Sequence, residues 1–281
     1  MDNHPPARDV AVPVISFIGG GNMATALIGG LAGKITPAAN LHVVEINADA
    51  RARLELLGIR TTAAIDAAIT ASDVVILAVK PQQMHAVAAQ LRPFLKTQLL
   101  ISIAAGIRAA DLSRWLGGYG AIVRCMPNTP ALIGRGITGL VALEKVTPAE
   151  RTQADAILCA VGSTVWLDDE ALLDPVTALS GSGPAYVFYF IEAMQQAGVQ
   201  LGLSAEQARD LSIATFVGAA QLAAEASEPV SVLRERVTSK GGTTHAALTS
   251  MQESGVAAAI GRAIEAASAR GTALGKEFGE G

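Results

Sequence analysis

The sequence predicts an α/β domain with a doubly wound parallel sheet, followed by an all-α domain. Three observations lead to this prediction. Short β-rich segments alternate with helical ones in the first half, and they are continuously apolar, as strands buried on both faces of a parallel sheet are. After Asp168 the β-rich segments stop and long helical segments follow. The length of 281 residues suits about two domains.

Six strands are predicted in the first domain, and a helical segment follows each of the first four, as in doubly wound folds. The strands are expected at 14–18, 41–46, 73–79, 98–106, 121–126 and 163–167. We expect a flexible arm at residues 1–13, the sheet domain at 14–168 and the all-helical domain at 169–281.

The helices of the second domain have recognisable boundaries. Pro184 suits the first turn of a long helix that follows the sequence SGSG. Ser204 and Gln207 have the spacing of a capping box, which predicts the start of the next helix. Gly255 lies where one of the last helices is expected to end before another begins.

The composition narrows the classes of function. The chain is 51% hydrophobic and only 16% charged, which favours a large core and a subunit interface. A net charge of −4 argues against binding to nucleic acid or to an anionic membrane. Because the sequence has neither a long apolar run nor a signal-peptide pattern, we expect a cytoplasmic protein without a membrane span.

The two cysteines indicate neither a disulfide framework nor a metal site. Cys125 and Cys159 are isolated in the sequence, and no Cys/His spacing typical of metal ligands is present. We therefore expect no metal and interpret both cysteines as buried thiols.

A dinucleotide-binding loop is predicted between the first strand and the first helix, as in Rossmann-type domains. In the sequence FIGGGNMATAL, Gly19, Gly21 and Ala24 fit the pattern G-x-G-x-x-A, with Asn22 and Met23 inside it. The first glycine permits a tight turn and the second permits close approach to a pyrophosphate. The alanine allows the helix to pack against the strand. The helix N-terminus then favours the phosphate charge.

The end of the second strand bears on the choice between NADH and NADPH. Glu45 follows this strand, where an acidic side chain binds the 2′-hydroxyl of the adenosine ribose and repels a 2′-phosphate. Ile46 cannot bind a phosphate, and Arg51 and Arg53 are interpreted as surface charges. The cofactor is thus NADPH or NADH, with a preference for NADH. Alternatively, Glu45 is a solvated carboxylate at a strand end.

Six motifs, in this order, make the sequence resemble the pyrroline-5-carboxylate reductase family from about residue 14 to about residue 275. They are GGGNMA, AVKPQ, ISIAAG, RCMPNTP, SGSGPAY and TSKGGTTHAAL. The resemblance implies reduction of the cyclic imine 1-pyrroline-5-carboxylate to L-proline with NAD(P)H. It also implies pairing through the C-terminal domain as a homodimerisation domain, with larger rings as a further possibility.

The resemblance also implies contacts with the cofactor beyond the glycine loop, each with a plainer alternative. Ala78, Val79, Lys80 and Pro81 would line the cofactor, Ala104 and Ala105 would face the nicotinamide, and Asn128 would meet its carboxamide or ribose. Lys80 is preferred as a structural residue over a catalytic acid. The alanines also fit an ordinary turn after a strand, and Asn128 fits a local side-chain turn.

The sequence TSKGGTTHAAL predicts an anion-binding turn at the start of a helix, since several N–H groups are left unpaired there. By the resemblance, this turn would hold the substrate carboxylate. The amides of Gly242, Thr243 and Thr244 and the hydroxyl of Ser239 would bind it, and the hydroxyl of Thr244 would lie near the ring nitrogen as the catalytic group. Ser180 is either a further substrate contact or a helix cap, and His245 is interpreted as structural.

Two other functions compete with this interpretation. A β-hydroxyacid dehydrogenase would need a catalytic lysine on a helix of the second domain, but only Lys240 and Lys276 follow residue 167, in a turn and at the tail. A non-catalytic dinucleotide sensor would not need the last two motifs. One departure from the family also matters: many members have Asn or Ser followed by Arg where this chain has Glu45 and Ile46, which puts NADPH preference in doubt.

Overall fold

The computed structural model describes residues 12–279, so the predicted arm falls outside the described residues except for Val12 and Pro13. The described residues form two compact units. The first unit holds the chain up to Gly181 together with the chain from Ser268 onward, and the second is Ser182–Ala267.

One sheet of eight strands, in the order β3-β2-β1-β4-β5-β6-β7-β8, forms the centre of the first unit. All neighbouring strands are parallel except β6 and β7, which pair antiparallel. The predicted doubly wound sheet is therefore confirmed, with its order reversing between β1 and β4. The strands are β1 (Ile15–Ile18), β2 (Leu41–Val44), β3 (Arg60–Thr62), β4 (Val74–Leu77), β5 (Leu99–Ser102), β6 (Ile122–Met126), β7 (Gly136–Ala142) and β8 (Gly162–Trp166).

Two of these strands, β3 and β7, were not predicted from the sequence. β3 has the sequence RTT and only three residues, so it carries no apolar signal. β7 has the sequence GITGLVA, with two glycines, and it pairs antiparallel with β6. Glycine is depleted in strands, which explains why β7 was not predicted.

Helices cover both faces of the sheet. Side chains alternate between the two faces along each strand, so the apolar strands place side chains that must be buried on both faces. Ile15 and Phe17 of β1 belong to a first core cluster, which also contains residues of α1 and α5. Ile18 belongs to a second core cluster on the opposite face, which contains residues of α3 and α4. The helices of this unit are α1 (Asn22–Leu31), α2 (Ala48–Glu55), α3 (Met84–Leu91), α4 (Ala109–Trp115) and α5 (Pro148–Cys159).

The second half of the chain is helical, as predicted. Pro184 lies in the first turn of α7, Ser204 and Gln207 form both bonds of a capping box, and Gly255 has φ +67° between the last two helices. These helices are α6 (Leu173–Val176), α7 (Gly183–Gln200), α8 (Ala205–Glu225), α9 (Val230–Arg236), α10 (Thr243–Glu253) and α11 (Val256–Gly279). Between residues 12 and 279, no helix is both long and apolar enough to cross a lipid bilayer.

The division into units lies later than the predicted boundary after Asp168. The helical segment up to Gly181 packs with the sheet, and the last turns of α11 return to it. Thr272 donates a hydrogen bond of 2.8 Å to Asp174, and Phe278 packs against the second core cluster. These contacts join both segments to the first unit.

Candidate functional site

A cavity of about 550 Å³ opens at the carboxyl ends of β1, β2 and β4. Ligands of doubly wound folds bind here, where the strand order reverses. Six predicted cofactor residues line the cavity: Gly19, Gly21, Glu45, Ala78, Val79 and Lys80. Further lining residues were not predicted to bind the cofactor, including Gly20, Ile46, Ala63, Ala64, Ile65, Gln82, Gln83 and Val87.

The glycine loop has the geometry that a pyrophosphate requires. Gly19 has φ +99°, and a Cβ there would lie 2.8 Å from the carbonyl oxygen of Ala78, so a larger residue would not fit. A Cβ at Gly21 would have no atom within 4 Å, which leaves open space in front of the loop. Gly21 precedes α1 without a side-chain cap, and Ala24 is buried in the first core cluster. The first amides of α1 are therefore available to an anion.

The carboxylate of Glu45 is fixed by two backbone amides. The N–H of Gly20 donates to Oε2 at 2.7 Å, and the N–H of Asn47 donates to Oε1 at 2.8 Å. A carboxylate oxygen can accept two hydrogen bonds, so each oxygen keeps one free position. Glu45 thus presents two oriented acceptors at the cavity, an arrangement that suits two ribose hydroxyls.

Arg51 is not a free surface charge, contrary to the sequence interpretation. Its Nη1 donates to the carbonyl oxygens of Glu45, at 2.8 Å, and Ile46, at 3.0 Å. Arg51 lies on α2, one turn from the loop that follows β2. No local sequence pattern predicts this contact, because it depends on how α2 packs against that loop.

Several predicted cofactor residues lie outside this cavity. Asn22 and Met23 form the first turn of α1, and Pro81 begins a short 3₁₀ turn after Lys80. Ala104 and Ala105 follow β5, with Ala104 buried in the second core cluster.

Asn128 connects two parts of the protein through its side chain. Its Oδ1 accepts from the N–H of Ile137 at 3.0 Å, and its Nδ2 donates to the carbonyl oxygen of Ser180 at 3.2 Å. The carbonyl of Ser180 belongs to a π-helical turn, Thr177–Gly181, that joins α6 to α7. Neither bond is the local side-chain turn considered from the sequence, since the partners lie 9 and 52 residues further along the chain.

Ser180 does not cap α7. Its Oγ donates to the carbonyl oxygen of Val176 at 3.1 Å, and the residue that precedes α7 is Ser182, whose side chain makes no cap bond. A π-helical turn of this kind is frequent near functional sites.

The predicted anion-binding turn lies in the second unit, at the start of α10. Gly241 has φ +74°, and Gly242 precedes the helix without a side-chain cap. The N–H of Gly242 donates to the carbonyl oxygen of Ser239 at 3.0 Å, so this amide is bonded within the turn. The amides of Thr243 and Thr244 are in the uncapped first turn, where they suit an anion.

The thiols differ from each other. Cys125 is buried in the first core cluster, and burial raises its pKa well above the ordinary value. Cys159, at the end of α5, is exposed, so the expectation of two buried thiols is wrong for this residue. The apolar pattern of α5 does not extend to its last residue, which explains the difference.

Comparison with known protein families gives two matches. Residues 170–274 match the family described as pyrroline-5-carboxylate reductase dimerisation. Residues 14–106 match the family described as NADP oxidoreductase, coenzyme F420-dependent.

Individual proteins are similar over nearly the whole chain. Pyrroline-5-carboxylate reductase of Pseudomonas aeruginosa is 47% identical over 273 residues, covering 96% of this chain and 100% of the relative. A solved pyrroline-5-carboxylate reductase of Coxiella burnetii has a TM-score of 0.88 at 38% identity, covering 94% of this chain and 98% of the other. The Plasmodium falciparum pyrroline carboxylate reductase, solved with NADP bound, has a TM-score of 0.83 at 30% identity, with coverage of 94% and 98%.

Proposed function

Since this chain belongs to the pyrroline-5-carboxylate reductase family and reduces the C=N bond of 1-pyrroline-5-carboxylate with hydride from NAD(P)H, giving L-proline, we propose which of its residues bind the two reactants. The observation that carries the proposal is the cleft at the carboxyl edge of the sheet. There, an open glycine loop and a fixed carboxylate lie side by side.

The glycine loop holds the pyrophosphate of the cofactor. Gly19 and Gly21 keep the approach open, the amides of Asn22 and Met23 donate to the phosphates, and Ala24 packs the helix against the sheet. The geometry of this loop supports the assignment, because the first turn of α1 is uncapped and points its amides at open space.

Glu45 binds the adenosine ribose, and the enzyme prefers NADH. The support is the pair of amide hydrogen bonds that orient both carboxylate oxygens at the cleft. A 2′-phosphate placed beside this carboxylate would be repelled by it. The guanidinium of Arg51 is bonded to the backbone carbonyls of Glu45 and Ile46, and its positive charge offsets part of that repulsion, so NADPH stays usable at lower efficiency.

Residues after β4 and β5 line the path towards the nicotinamide. Ala78, Val79, Lys80 and Pro81 follow β4, and the first three of these line the cleft. Ala104 and Ala105 follow β5, the next strand in the sheet, whose carboxyl end lies at the same edge. The small side chain of Ala105 leaves room for a flat ring, while Ala104 is buried in the second core cluster. Asn128 acts here by fixing the turn at Ser180 rather than by touching the cofactor.

The start of α10 binds the substrate. We assign the carboxylate to the amides of Thr243 and Thr244 and to the hydroxyl of Ser239, while Gly242 shapes the turn. The hydroxyl of Thr244 then donates to the ring nitrogen, where a proton must arrive during reduction. Ser180 acts through its backbone, as its hydroxyl is bonded within the helix.

The chemistry needs few groups from the protein. When bound, the reduced nicotinamide supplies the hydride that reaches the imine carbon. The chain holds the substrate carboxylate, keeps the imine carbon free and presents a hydroxyl to the nitrogen. Positioning of this kind lowers barriers by about 7–11 kcal/mol in well-oriented reactions. Water relayed by Thr244 completes the proton transfer.

The protein is a homo-oligomer through its dimerisation domain. We extend this to a homodimer through the helical domain, with a larger ring as the higher state, and to a cytoplasmic location without nucleic-acid or membrane partners. Exposed aromatic residues on α7 support the dimer, since Phe188 is 65% and Tyr189 is 71% exposed in the single chain.

Steady-state oxidation of NADH and of NADPH with 1-pyrroline-5-carboxylate, measured separately, tests the proposal. We expect turnover with both and a higher kcat/KM with NADH. Turnover that favours NADPH would overturn the role of Glu45 and leave the reaction unchanged. Turnover would also set aside the sensor, and a lack of activity towards β-hydroxyacids would set aside the rival dehydrogenase.

Variants of α10 test the substrate assignment. Thr244→Ala should lower kcat/KM for 1-pyrroline-5-carboxylate about tenfold, the effect of one lost hydrogen bond of about 1.4 kcal/mol, and Thr244→Ser should restore most of it. Thr249→Ala is the matched control, because the hydroxyl of Thr249 bonds to the carbonyl of His245 within the same helix. Equal kinetics for Thr244→Ala and Thr249→Ala would remove Thr244 from the site.

A further inference from the structure

Four polar side chains form a continuous line of hydrogen bonds along one face of the sheet: Ser72, Ser16, His42 and Thr62. Ser72 Oγ lies 2.6 Å from Ser16 Oγ, and Ser16 Oγ lies 3.1 Å from Nδ1 of His42. On the other side of the ring, Nε2 of His42 lies 3.0 Å from Oγ1 of Thr62. Ser16 and His42 are fully buried, on the sheet face that otherwise carries the second core cluster. None of the four has a role in the proposed reaction.

One fixed acceptor sets the direction of every hydrogen bond in this line. Oγ1 of Thr62 lies 3.0 Å from the carbonyl oxygen of Ala64, which can only accept. Because Thr62 donates its one proton to Ala64, it must accept from Nε2–H of His42. Nδ1 of His42 then carries no proton and accepts from Ser16, which in turn accepts from Ser72. The donors therefore all point the same way along the line, from Ser72 towards Thr62 and Ala64.

Thr62 connects this line to two walls of the cofactor cleft. Ala63, Ala64 and Ile65 line the cleft, and the hydroxyl of Thr62 holds the carbonyl of Ala64. The backbone carbonyl of Thr62 accepts from the N–H of Glu45 at 2.9 Å. Thr62 thus fixes the segment that follows β3 through its side chain, and it fixes the residue that follows β2 through its backbone.

We propose that the hydrogen bonds from His42 through Thr62 to Ala64 orient the 63–65 wall of the cleft, and that His42 and Thr62 are positioning residues for cofactor binding. The inference rests on the proposed function in taking this cleft as the adenosine side of the cofactor. An apolar residue at position 42 would suit the second core cluster on this face of the sheet, so packing does not require a histidine. It would remove the donor to Thr62, whose hydroxyl would keep only its bond to the carbonyl of Ala64.

The charge state of His42 supports this directed line. Burial lowers the pKa of His42, and the charge of Arg60 lowers it further, while the carboxylate of Asp66 raises it by less. The ring is therefore neutral near pH 7 and holds its proton on Nε2, where Thr62 needs it. A second proton on Nδ1 would face Ser16 and force its hydroxyl to turn away.

Substitutions at Thr62 test the inference in the full-length enzyme. Thr62→Val keeps the shape and removes the hydroxyl, whereas Thr62→Ser keeps the hydroxyl. We expect Thr62→Val to raise KM for NADH about tenfold, equivalent to about 1.4 kcal/mol, with kcat changed by less than about twofold. Thr62→Ser should stay within about twofold of the wild type in both parameters.

A second pair of variants separates the two sides of the ring. The amide of Gln reaches the place of Nε2 and the amide of Asn reaches the place of Nδ1. His42→Gln should therefore retain the KM for NADH, and His42→Asn should raise it like Thr62→Val. Ser72→Ala is the control, because it removes the donor farthest from the cleft.

The outcomes distinguish this inference from the proposed function on which it rests. An unchanged KM for Thr62→Val, in an enzyme where Glu45→Gln does change it, overturns the inference alone. A KM that rises equally in Thr62→Val, Thr62→Ser and Ser72→Ala, in step with a falling Tm, also overturns it, because the role is then only structural. A raised KM for Thr62→Val with no effect of Glu45→Gln supports the inference and removes the ribose role of Glu45.

Discussion

Replacing Glu45 by glutamine should reverse or strongly weaken the preference for NADH. The carboxylate accepts from the amides of Gly20 and Asn47, and an amide side chain can accept with only one of its two terminal atoms. Glu45→Gln therefore loses one of the two bonds that orient the side chain, together with the charge that strengthens hydrogen bonds to the ribose.

Both effects have a calculable size. Hydrogen bonds to charged groups contribute about 1.5–3 kcal/mol, so weakening one by about 1.4 kcal/mol lowers kcat/KM for NADH about tenfold. Two unit charges about 4 Å apart repel by about 1 kcal/mol in water and about 4 kcal/mol near a protein surface. Glu45 is half-buried, so the repulsion is at least the value of about 1 kcal/mol in water. Removing the charge of Glu45 should therefore raise kcat/KM for NADPH at least about fivefold. The ratio of the two should change by at least about 50-fold.

The assay is initial-rate oxidation of each cofactor at a saturating concentration of 1-pyrroline-5-carboxylate. Asp49→Asn is the matched control: it removes the same charge from the exposed first turn of α2, where the side chain does not line the cleft. We expect this variant to keep the wild-type ratio. A Glu45→Gln ratio within about twofold of the wild type would refute the electrostatic reasoning, as would an equal change in Asp49→Asn.

Two further predictions concern stability. Arg124 is 5% exposed and forms an ion pair with Glu170 at 2.7 Å. Because Glu170→Ala leaves the buried charge of Arg124 unpaired, it should lower the free energy of unfolding by about 3 kcal/mol in urea titrations. The control Arg209→Ala breaks an exposed pair and should lower it by less than about 1 kcal/mol. Because burial lowers the pKa of His42, the unfolded chain binds a proton at mildly acidic pH that the folded chain does not. The contribution of the neutral His42 ring to stability is therefore complete above about pH 6.5 and is lost as the pH falls towards the lowered pKa of the folded state. Each tenfold loss of proton affinity corresponds to about 1.4 kcal/mol, and melting curves at decreasing pH should show a steeper fall of Tm for the wild type than for His42→Gln.

The sequence predicted the parts of the fold that have a strong local signal. The continuously apolar strands β1, β2, β4, β5 and β6 and the capping box at Ser204 were all found where expected. β3 and β7 were missed because one is short and polar and the other contains glycines. Their place in the sheet is set by their neighbours, which a local pattern does not contain.

The same limit applies to the site. The glycine loop and Glu45 were predicted because their spacing in the sequence reflects their function. Arg51, the partners of Asn128 and the line through His42 depend on contacts between distant segments. The hydroxyl of Ser16, for example, meets a ring 26 residues later in the chain. No spacing rule connects such residues, so they became visible only in the folded structure.

The return of α11 to the sheet unit affects the order in which the protein can fold during synthesis. Phe278 lies against Gly106, where a Cβ would be 3.1 Å from its ring, and Arg114 donates to the carbonyl of Gly279 at 2.7 Å. The ribosome makes these last turns only after the whole of Ser182–Ala267 has been translated. The nucleotide-binding unit therefore remains unfinished, with part of an apolar face uncovered, until residues 268–279 have been made.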